Sequence, residues 1–451
     1  MNKKGLALSG GGFRASFFHL GMFAKLAEND ILKDIEVIST VSGGSIVGVL
    51  YYLKLQKLLE ENADETIQKS HYVALVEELI EEFFEAVQTD IRNSVLFDRF
   101  FSNTLVKIMN PFSSYTRTNK LGEIYQERMY KKYQKSMKDL IIRPYEYKEK
   151  AEQFKPREHN INRKNKVPIL VINATNLNSG HNWQFQASKM GEPTNMTNME
   201  IDKNNRFSWV HYDAKDLQKN FREYPIGQAV ACSSAVPMLF TPIIVKNLYE
   251  GYKLSLSDGG IYDNQGLSGL ESEGCDYIIC SDASGQMATK KVSTTTLLGT
   301  NKRTIDIEMD RNRELIFQDL AKKEEKGVIK GFLFTHLKKG LEPHEVKQDN
   351  VIQEFDTTET KIFQEHIANI RTDLDIFSKT EAYALMYNGY DLFEKALEIK
   401  KIFTQDESKH DWVFLKVKNA IENDSKILKG TLEVAKYRFF RGFMKWWKSV
   451  E

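Results

Sequence analysis

Three short stretches carry residue types able to do chemistry together. The first is Thr40-Val41-Ser42-Gly43-Gly44, a serine between a strand-like run and a helical run with small residues around it. A serine on such a strand-to-helix turn has its hydroxyl exposed as a nucleophile, and small neighbours keep the helix from crowding it. The usual spacing is G-x-S-x-G, and here Thr40 stands in the place of the first glycine. A second frame, Gly43-Gly44-Ser45-Ile46-Val47, would make Ser45 the nucleophile, but it lacks the last glycine and puts the serine inside the helix. A third reading leaves Ser42 as a helix N-cap only.

A serine hydroxyl needs a base. The second stretch, Ser257-Asp258-Gly259-Gly260, follows the strand-like GYKLSLS and places an acid at a strand end, although Asp-Gly alone also marks a plain turn. In a triad the base is histidine. None of the nine histidines has a motif around it: His19 lies one turn into a helix as a packing or loop-supporting residue, and His181 and His336 follow strand-like stretches. The chain order Ser, Asp, His of an α/β-hydrolase is missing too. A lone carboxylate fits better, because burial against apolar walls raises its pKa and makes it a better base.

The third stretch is Gly10-Gly11-Gly12-Phe13-Arg14. Glycines let a backbone approach a ligand, and the amides opening the following helix lack partners at its positive end. The loop can hold an anion, either a phosphate or a tetrahedral oxyanion. Gly10-x-Gly12-x-x-Ala15 matches the dinucleotide fingerprint, which also wants an acid at the end of the second strand. Glu36 lies at the start of that strand and Ser39-Thr40 at its end. Gly-Lys-Ser/Thr does not occur, which excludes a Walker A loop. Dinucleotide binding, an oxyanion hole and a simple turn all remain open for the loop by itself.

The elements that must position these stretches read as an α/β fold. Residues 4–8 and 35–40 are strand-like and each leads through a glycine turn into a helical pattern, the start of a parallel sheet. Residues from about 55 to 165 read as a helical insertion, acidic first and rich in lysine and arginine over about 117–167. Strand signals return at 168–175, 240–245, 251–257 and 276–281, and the pattern after about residue 300 is mostly helical. Ser378-x-x-Glu381 makes a capping box ahead of AYALMYNGY.

The 451 residues, 41% hydrophobic and 28% charged, suffice for a large core. A net charge of +1 provides no field for a nucleic acid polymer. Three cysteines without a CxxC pair argue against a disulfide framework and a structural zinc. The sequence carries neither a signal-peptide pattern nor a run of about 18 apolar residues. A cytoplasmic protein is the expectation. Near the end, Phe439, Phe440, Phe443, Trp446 and Trp447 fall on one helical face, with Arg438, Arg441, Lys445 and Lys448 mainly opposite. That suits either an interfacial helix on anionic lipid at 436–448 or a terminal helix docked on the core.

In this order and spacing, SGGGFR at 9–14, TVSGG at 40–44 and DGG at 258–260 resemble the patatin-like phospholipase family and, more distantly, cytosolic phospholipases of the A2 type. NATNLNSG at 173–180, ACSSAVPMLFTP at 231–242 and RTDLDIFSKTEAYALMYNGY at 371–390 add to the resemblance, which runs over roughly 4–395. It implies a three-layer α/β/α fold with a mainly parallel central sheet, a helical insertion and a helical C-terminal region. It implies a catalytic domain at 1–400 and a tail at 401–451. By position, Ser42 would be the nucleophile and Asp258 the general base. The amides of Gly10, Gly11 and Gly12 would hold the oxyanion, and Arg14 would brace the loop or meet a lipid phosphate. The implied substrate is a phospholipid or lysophospholipid, cleaved without metal or cofactor. Acyl transfer on the same site and a non-enzymatic phosphate-binding protein are the alternatives. Some bacterial members of the family are effectors switched on by a partner or a small nucleotide, and the sequence names neither.

Overall fold

A computed structural model of the chain describes residues 2–91, 94, 115–133, 135–195, 200–237, 239–285, 293–341, 359–400, 409–423 and 426–435. The aromatic and basic stretch at 436–448 and part of the insertion lie outside the described residues.

Strand β1 (Lys4–Leu8) feeds helix α1 (Gly12–Glu28), and β2 (Ile35–Thr40) feeds α2 (Gly43–Glu61). Apolar side chains of β1 and β2 point to both faces of the sheet, so these two strands are buried on both. Leu6, Leu8 and Ile38 join the core cluster on one side, while Ala7 and Val37 join that on the other. Helix α3 (Lys69–Val87) carries the acidic stretch, with Leu75, Val76, Leu79, Ile80 and Phe83 buried. Its Phe83 meets Phe13 and Phe17 edge-on, at ring separations of 5.9 and 5.2 Å. On the opposite face of this helix Glu77, Glu78 and Glu81 are exposed, so the acidic stretch forms a solvated surface there.

The insertion is less regular than the sequence pattern suggests. Helix α2 runs on to Glu61, α4 spans Arg117–Ile124, and one π-helical turn follows at Tyr125–Met129. Residues 135–165 form short turns and the four-residue α5 (Pro156–His159). Pro144 and Pro156, together with charges lacking an apolar period, explain why no long helix forms there.

Strands β3 (Ile169–Asn176), β4 (His181–Phe185), β5 (Lys189–Gly191) and β6 (Val210–His211) extend the sheet. Helices α6 (Lys219–Arg222) and α7 (Ile226–Ser233) lead to the hairpin β7 (Ile243–Lys246) and β8 (Lys253–Asp258). Then come α8 (Gly260–Asp263), α9 (Leu267–Ser272), β9 (Tyr277–Asp282), α10 (Leu297–Glu325) and β10 (Gly331–His336). The helical region after residue 300 therefore contains a strand, with His336 its last residue. His181 follows β3, as expected, and opens β4.

Among the described residues ten strands form one sheet in the order β10-β9-β1-β2-β3-β4-β5-β6, with β8 paired to β3 and β7 to β8. From β10 through β3 all pairings are parallel, and the β4–β8 additions are antiparallel. Helices α9 and α10 cover one face through Leu267, Leu270 and Leu320. Helices α1, α2 and α3 cover the other, joined by α11 (Glu359–Ala368) and α12 (Lys379–Lys400). This is the three-layer α/β/α arrangement. β1 lies between β2 and β9, so the chain leaves its carboxyl end in one direction and returns from the other. Such switch points are where open α/β sheets place ligands.

Helix α12 begins at the expected capping box: Ser378 N and Oγ both donate to Glu381 Oε2, and Glu381 N donates back to Ser378 Oγ. The chain then continues through α13 (Lys416–Glu422) to α14 (Lys426–Ala435), which packs on α11 and α12. Glu28 of α1, 2% exposed, accepts hydrogen bonds from Tyr390 Oη at 2.7 Å, His410 N at 2.9 Å and Trp412 Nε1 at 2.6 Å. None of the described helices is long and apolar enough to cross a membrane.

Candidate active site

Ser42 caps α2 in a backbone conformation of φ 49 and ψ −116. A non-glycine residue at positive φ stores strain that its surroundings must hold. Several bonds do so. Ser42 N donates to Ser233 Oγ at 3.0 Å, and Gly44 N donates to Ser9 O at 3.1 Å. Ser16 Oγ of α1 donates to Gly43 O at 2.7 Å. Gly43 has no substitute here, since a Cβ on it would collide with Gly12 O and lie 2.8 Å from Gly12 N.

Thr40, which departs from the usual elbow pattern, finds its room in Gly48. A Cβ there would stand 2.7 Å from the Thr40 methyl. Thr40 Oγ1 accepts from Ser45 Oγ at 2.9 Å, and Ser45 Oγ also meets Ser233 Oγ at 2.8 Å. Ser45 is fully buried within the first turn of α2 and is engaged on both sides. The frame that would make Ser45 the nucleophile thus has no geometric support.

Asp258 reaches the same place from β8. Pairing with β3 sets Asp258 opposite Ala174, and Thr175 Oγ1 donates to Asp258 O at 2.8 Å. Asp258 N donates to Ala235 O at 3.1 Å, and Gly259 N to Ser233 O at 3.2 Å. The segment 233–235 therefore holds the serine elbow and the acid at once. Asp258 Oδ1 accepts from Gly260 N at 2.7 Å, whereas Oδ2 is buried with no hydrogen-bond partner. Burial pushes the carboxyl up to about 7, against the downward pull of the Gly260 amide and the Ser42 hydroxyl. The hydroxyl is thus near enough to act on the carboxyl without being aligned as a hydrogen bond to Oδ2. Catalytic contacts in unliganded enzymes are often loose in this way. Ser42 and Asp258 each keep 5% of their surface exposed.

The glycine loop stands beside the elbow. Gly11 and Gly12 have φ of 139 and 59. The amide of Gly10 is occupied, donating to Asn264 O at 2.9 Å, so the expected three loop donors narrow to Gly11 and Gly12. Their amides, and that of Gly43, donate to no carbonyl among the described residues. Gly43 was not singled out from the sequence, though the residue after an elbow serine is a regular oxyanion donor. Asp373 closes over the loop by accepting from Phe13 N at 3.0 Å.

Arg14 is 5% exposed and donates through both terminal nitrogens, to Ile370 O and to Ala283 O, each at 3.0 Å. Burial lowers its pKa to about 10, with Asp282 acting in the opposite sense. Of its two expected roles, this geometry supports bracing. His19 is buried and its pKa is pushed down to about 4, chiefly by burial. The neutral ring donates from Nε2 to Ser9 O at 3.0 Å and accepts at Nδ1 from Ser281 Oγ at 2.7 Å. It supports the loop and stands apart from the dyad. Two cavities of about 340 Å³ lie elsewhere, one lined by Phe221, Tyr224, Gln228 and Ile243, the other by Glu28, Val73, Lys409 and His410. Neither touches Ser42 or Asp258, and chemistry, not cavity size, marks the site.

A parallel α/β sheet with a strained serine elbow, free loop amides and a buried acid at one switch point has the layout of a serine-hydrolase site. The chain belongs to the patatin-like phospholipase family, whose model matches residues 6–270. Among solved structures it is similar to human GIVD cytosolic phospholipase A2, with a TM-score of 0.50 and 10% identity over 93% of this chain. The match covers 60% of that chain's length. At this identity the likeness speaks for the fold alone. VipD from Legionella pneumophila gives a TM-score of 0.31 at 17% identity, covering 89% of this chain and 67% of that one. No curated protein matches the chain in sequence.

Proposed function

We propose that the chain hydrolyses carboxylic ester bonds of membrane lipids, in the manner of a phospholipase A or lysophospholipase, through a Ser42–Asp258 dyad. The observation that carries this is the pairing of a strained, elbow-borne hydroxyl with a buried carboxylate whose Oδ2 has no other partner and whose pKa stands at about 7.

In acylation the Ser42 proton passes to Asp258 as Oγ bonds to the acyl carbon. The amides of Gly11, Gly12 and Gly43 then receive the negative oxygen. The carbon–oxygen bond to the alcohol then breaks, and the departing oxygen takes the proton from Asp258. Water repeats the sequence on the acyl-enzyme, giving its proton to Asp258 and freeing Ser42. An alcohol in place of water would make the same site an acyltransferase.

Residues 1–400 form the catalytic domain in this reading, with 409–435 clamped to it through Glu28. The aromatic and basic pattern at 436–448 would bring it to an anionic bilayer, and three unpaired buried thiols suit a cytoplasmic setting. The decisive experiment is a fluorophosphonate probe with wild type and Ser42→Ala. Labelling and esterase activity should both vanish in a variant that folds normally. Activity surviving in Ser42→Ala would overturn the proposal.

A further inference from the structure

Asn264 follows α8, and its place beside the dyad is set by its neighbour. Asp263, 2% exposed, takes the amides of Gln265 at 3.0 Å, Gly266 at 3.1 Å and Ser268 at 2.6 Å. The turn so held turns the Asn264 carbonyl to the Gly10 amide at 2.9 Å.

The side chain of Asn264 lies in the same place. A methyl group built on Gly10 would overlap Asn264 Oδ1 and stand 3.2 Å from Ser42 Cβ. One built on Gly260 would lie 2.6 Å from Asn264 Oδ1 and 2.9 Å from Asp258 Oδ1. The amide group thus sits between the glycine loop and the catalytic carboxylate, close to the serine. It is half-buried, and it makes no side-chain hydrogen bond among the described residues. Its neighbours Asp263, Gln265 and Ser268 are all engaged. The polar atoms of Asn264 are not sealed from solvent, so a substrate bound at the dyad can reach them.

We infer that Asn264 is a further catalytic residue: its amide, whose oxygen faces the loop and which no hydrogen bond holds, turns about χ2 so that its N–H donates to an oxygen of the scissile ester as the tetrahedral state forms. Its backbone occupies the Gly10 amide, and its side chain supplies a donor in that amide's stead. The chemistry suits a neutral amide. A carboxylate there would repel the oxyanion, and an ammonium would pair with Asp258 and weaken it as a base. No proton is transferred: Asn264 only accommodates charge that Ser42 and Asp258 create. This inference rests on the dyad reading.

The test uses the full chain and 4-nitrophenyl butyrate, with Asn264→Ala, Asn264→Asp and the Ser42→Ala control. A lost oxyanion donor costs on the order of 10²–10³ in kcat, and KM changes little because the contact matures only in the transition state. Both Asn264 variants should show that split, with kcat read on the alkaline plateau and folding checked by melting temperature. Should the alanine variant not fold, the nearly isosteric aspartate variant decides. A folded variant with kcat within about threefold of wild type would overturn the inference, as would a loss confined to KM. If Ser42→Ala stays active, the dyad itself is wrong. If it is dead while the Asn264 variants are fully active, only the role of Asn264 falls.

Discussion

Replacing Asp258 by asparagine should abolish ester hydrolysis and, at alkaline pH, make the protein more stable. Burial lifts the carboxyl from the ordinary value of 3.8 to about 7. A lift of roughly three units is worth about 4 kcal/mol, at 1.36 kcal/mol per unit. In strong acid both folded and unfolded chains hold the proton, and the site costs nothing. As pH rises toward 7 the unfolded chain has shed it while the folded one keeps it, so stability falls. Above 7 the folded protein carries the whole penalty of a buried charge. Asparagine carries none at any pH. Between pH 5 and pH 8 the variant should therefore gain about 3 kcal/mol on wild type. With an unfolding entropy of about 2 cal/mol/K per residue, a chain of this length should show that as a relative rise of about 3 °C in Tm. Melting curves of both proteins at pH 5 and pH 8 make the measurement. The wild-type kcat/KM should fall about tenfold per pH unit below 7, because only the ionised carboxylate accepts the Ser42 proton. A Tm difference that is the same at both pH values, or a rate that stays flat from pH 5 to pH 8, would refute the reasoning.

Other perturbations test the supports. Ser233→Ala strips the acceptor from Ser42 N and should cost about 1–3 kcal/mol of stability; a kcat reduced with KM unchanged would show the elbow has loosened. Arg14→Lys keeps the charge but cannot span Ile370 O and Ala283 O, so melting should drop with a cost of about 1.5–3 kcal/mol while KM stays constant. A rise in KM for phospholipid at unchanged Tm would instead assign Arg14 to the lipid phosphate. Trp412→Ala removes a buried indole and its bond to Glu28, a loss of about 3–5 kcal/mol. If the segment 409–435 belongs to the catalytic body, active-site melting falls with it; an unchanged active-site melting curve would make the tail a separate unit.

Much of the fold was legible along the chain because its signals are local. Residues 4–8 and 35–40 are apolar, β-branched in part and followed by glycine turns, and they form β1 and β2 with those limits. The capping box at Ser378 and Glu381 needs only four residues to be recognised. The strand Gly331–His336 was hidden within a helical region, since a short run on a parallel edge, four of its six residues buried, shows no polar alternation in its sequence. Residues 135–165 were too charged to distinguish a solvated helix from a string of turns.

The sequence by itself determined the chemical inventory: a serine on a glycine-flanked turn, an acid before two glycines, and a loop with amides to spare. What only the tertiary structure decided was which of these groups remain uncommitted. Gly10 lost its amide to Asn264, Ser45 was tied to Thr40 and Ser233, and Arg14 was spent on two carbonyls. Each of those contacts joins residues far apart in the chain or shaped by the turn between them. Hydrogen-bond satisfaction is a property of the packed interior, where every donor is either used or left free, and no pattern of neighbouring residues can record it.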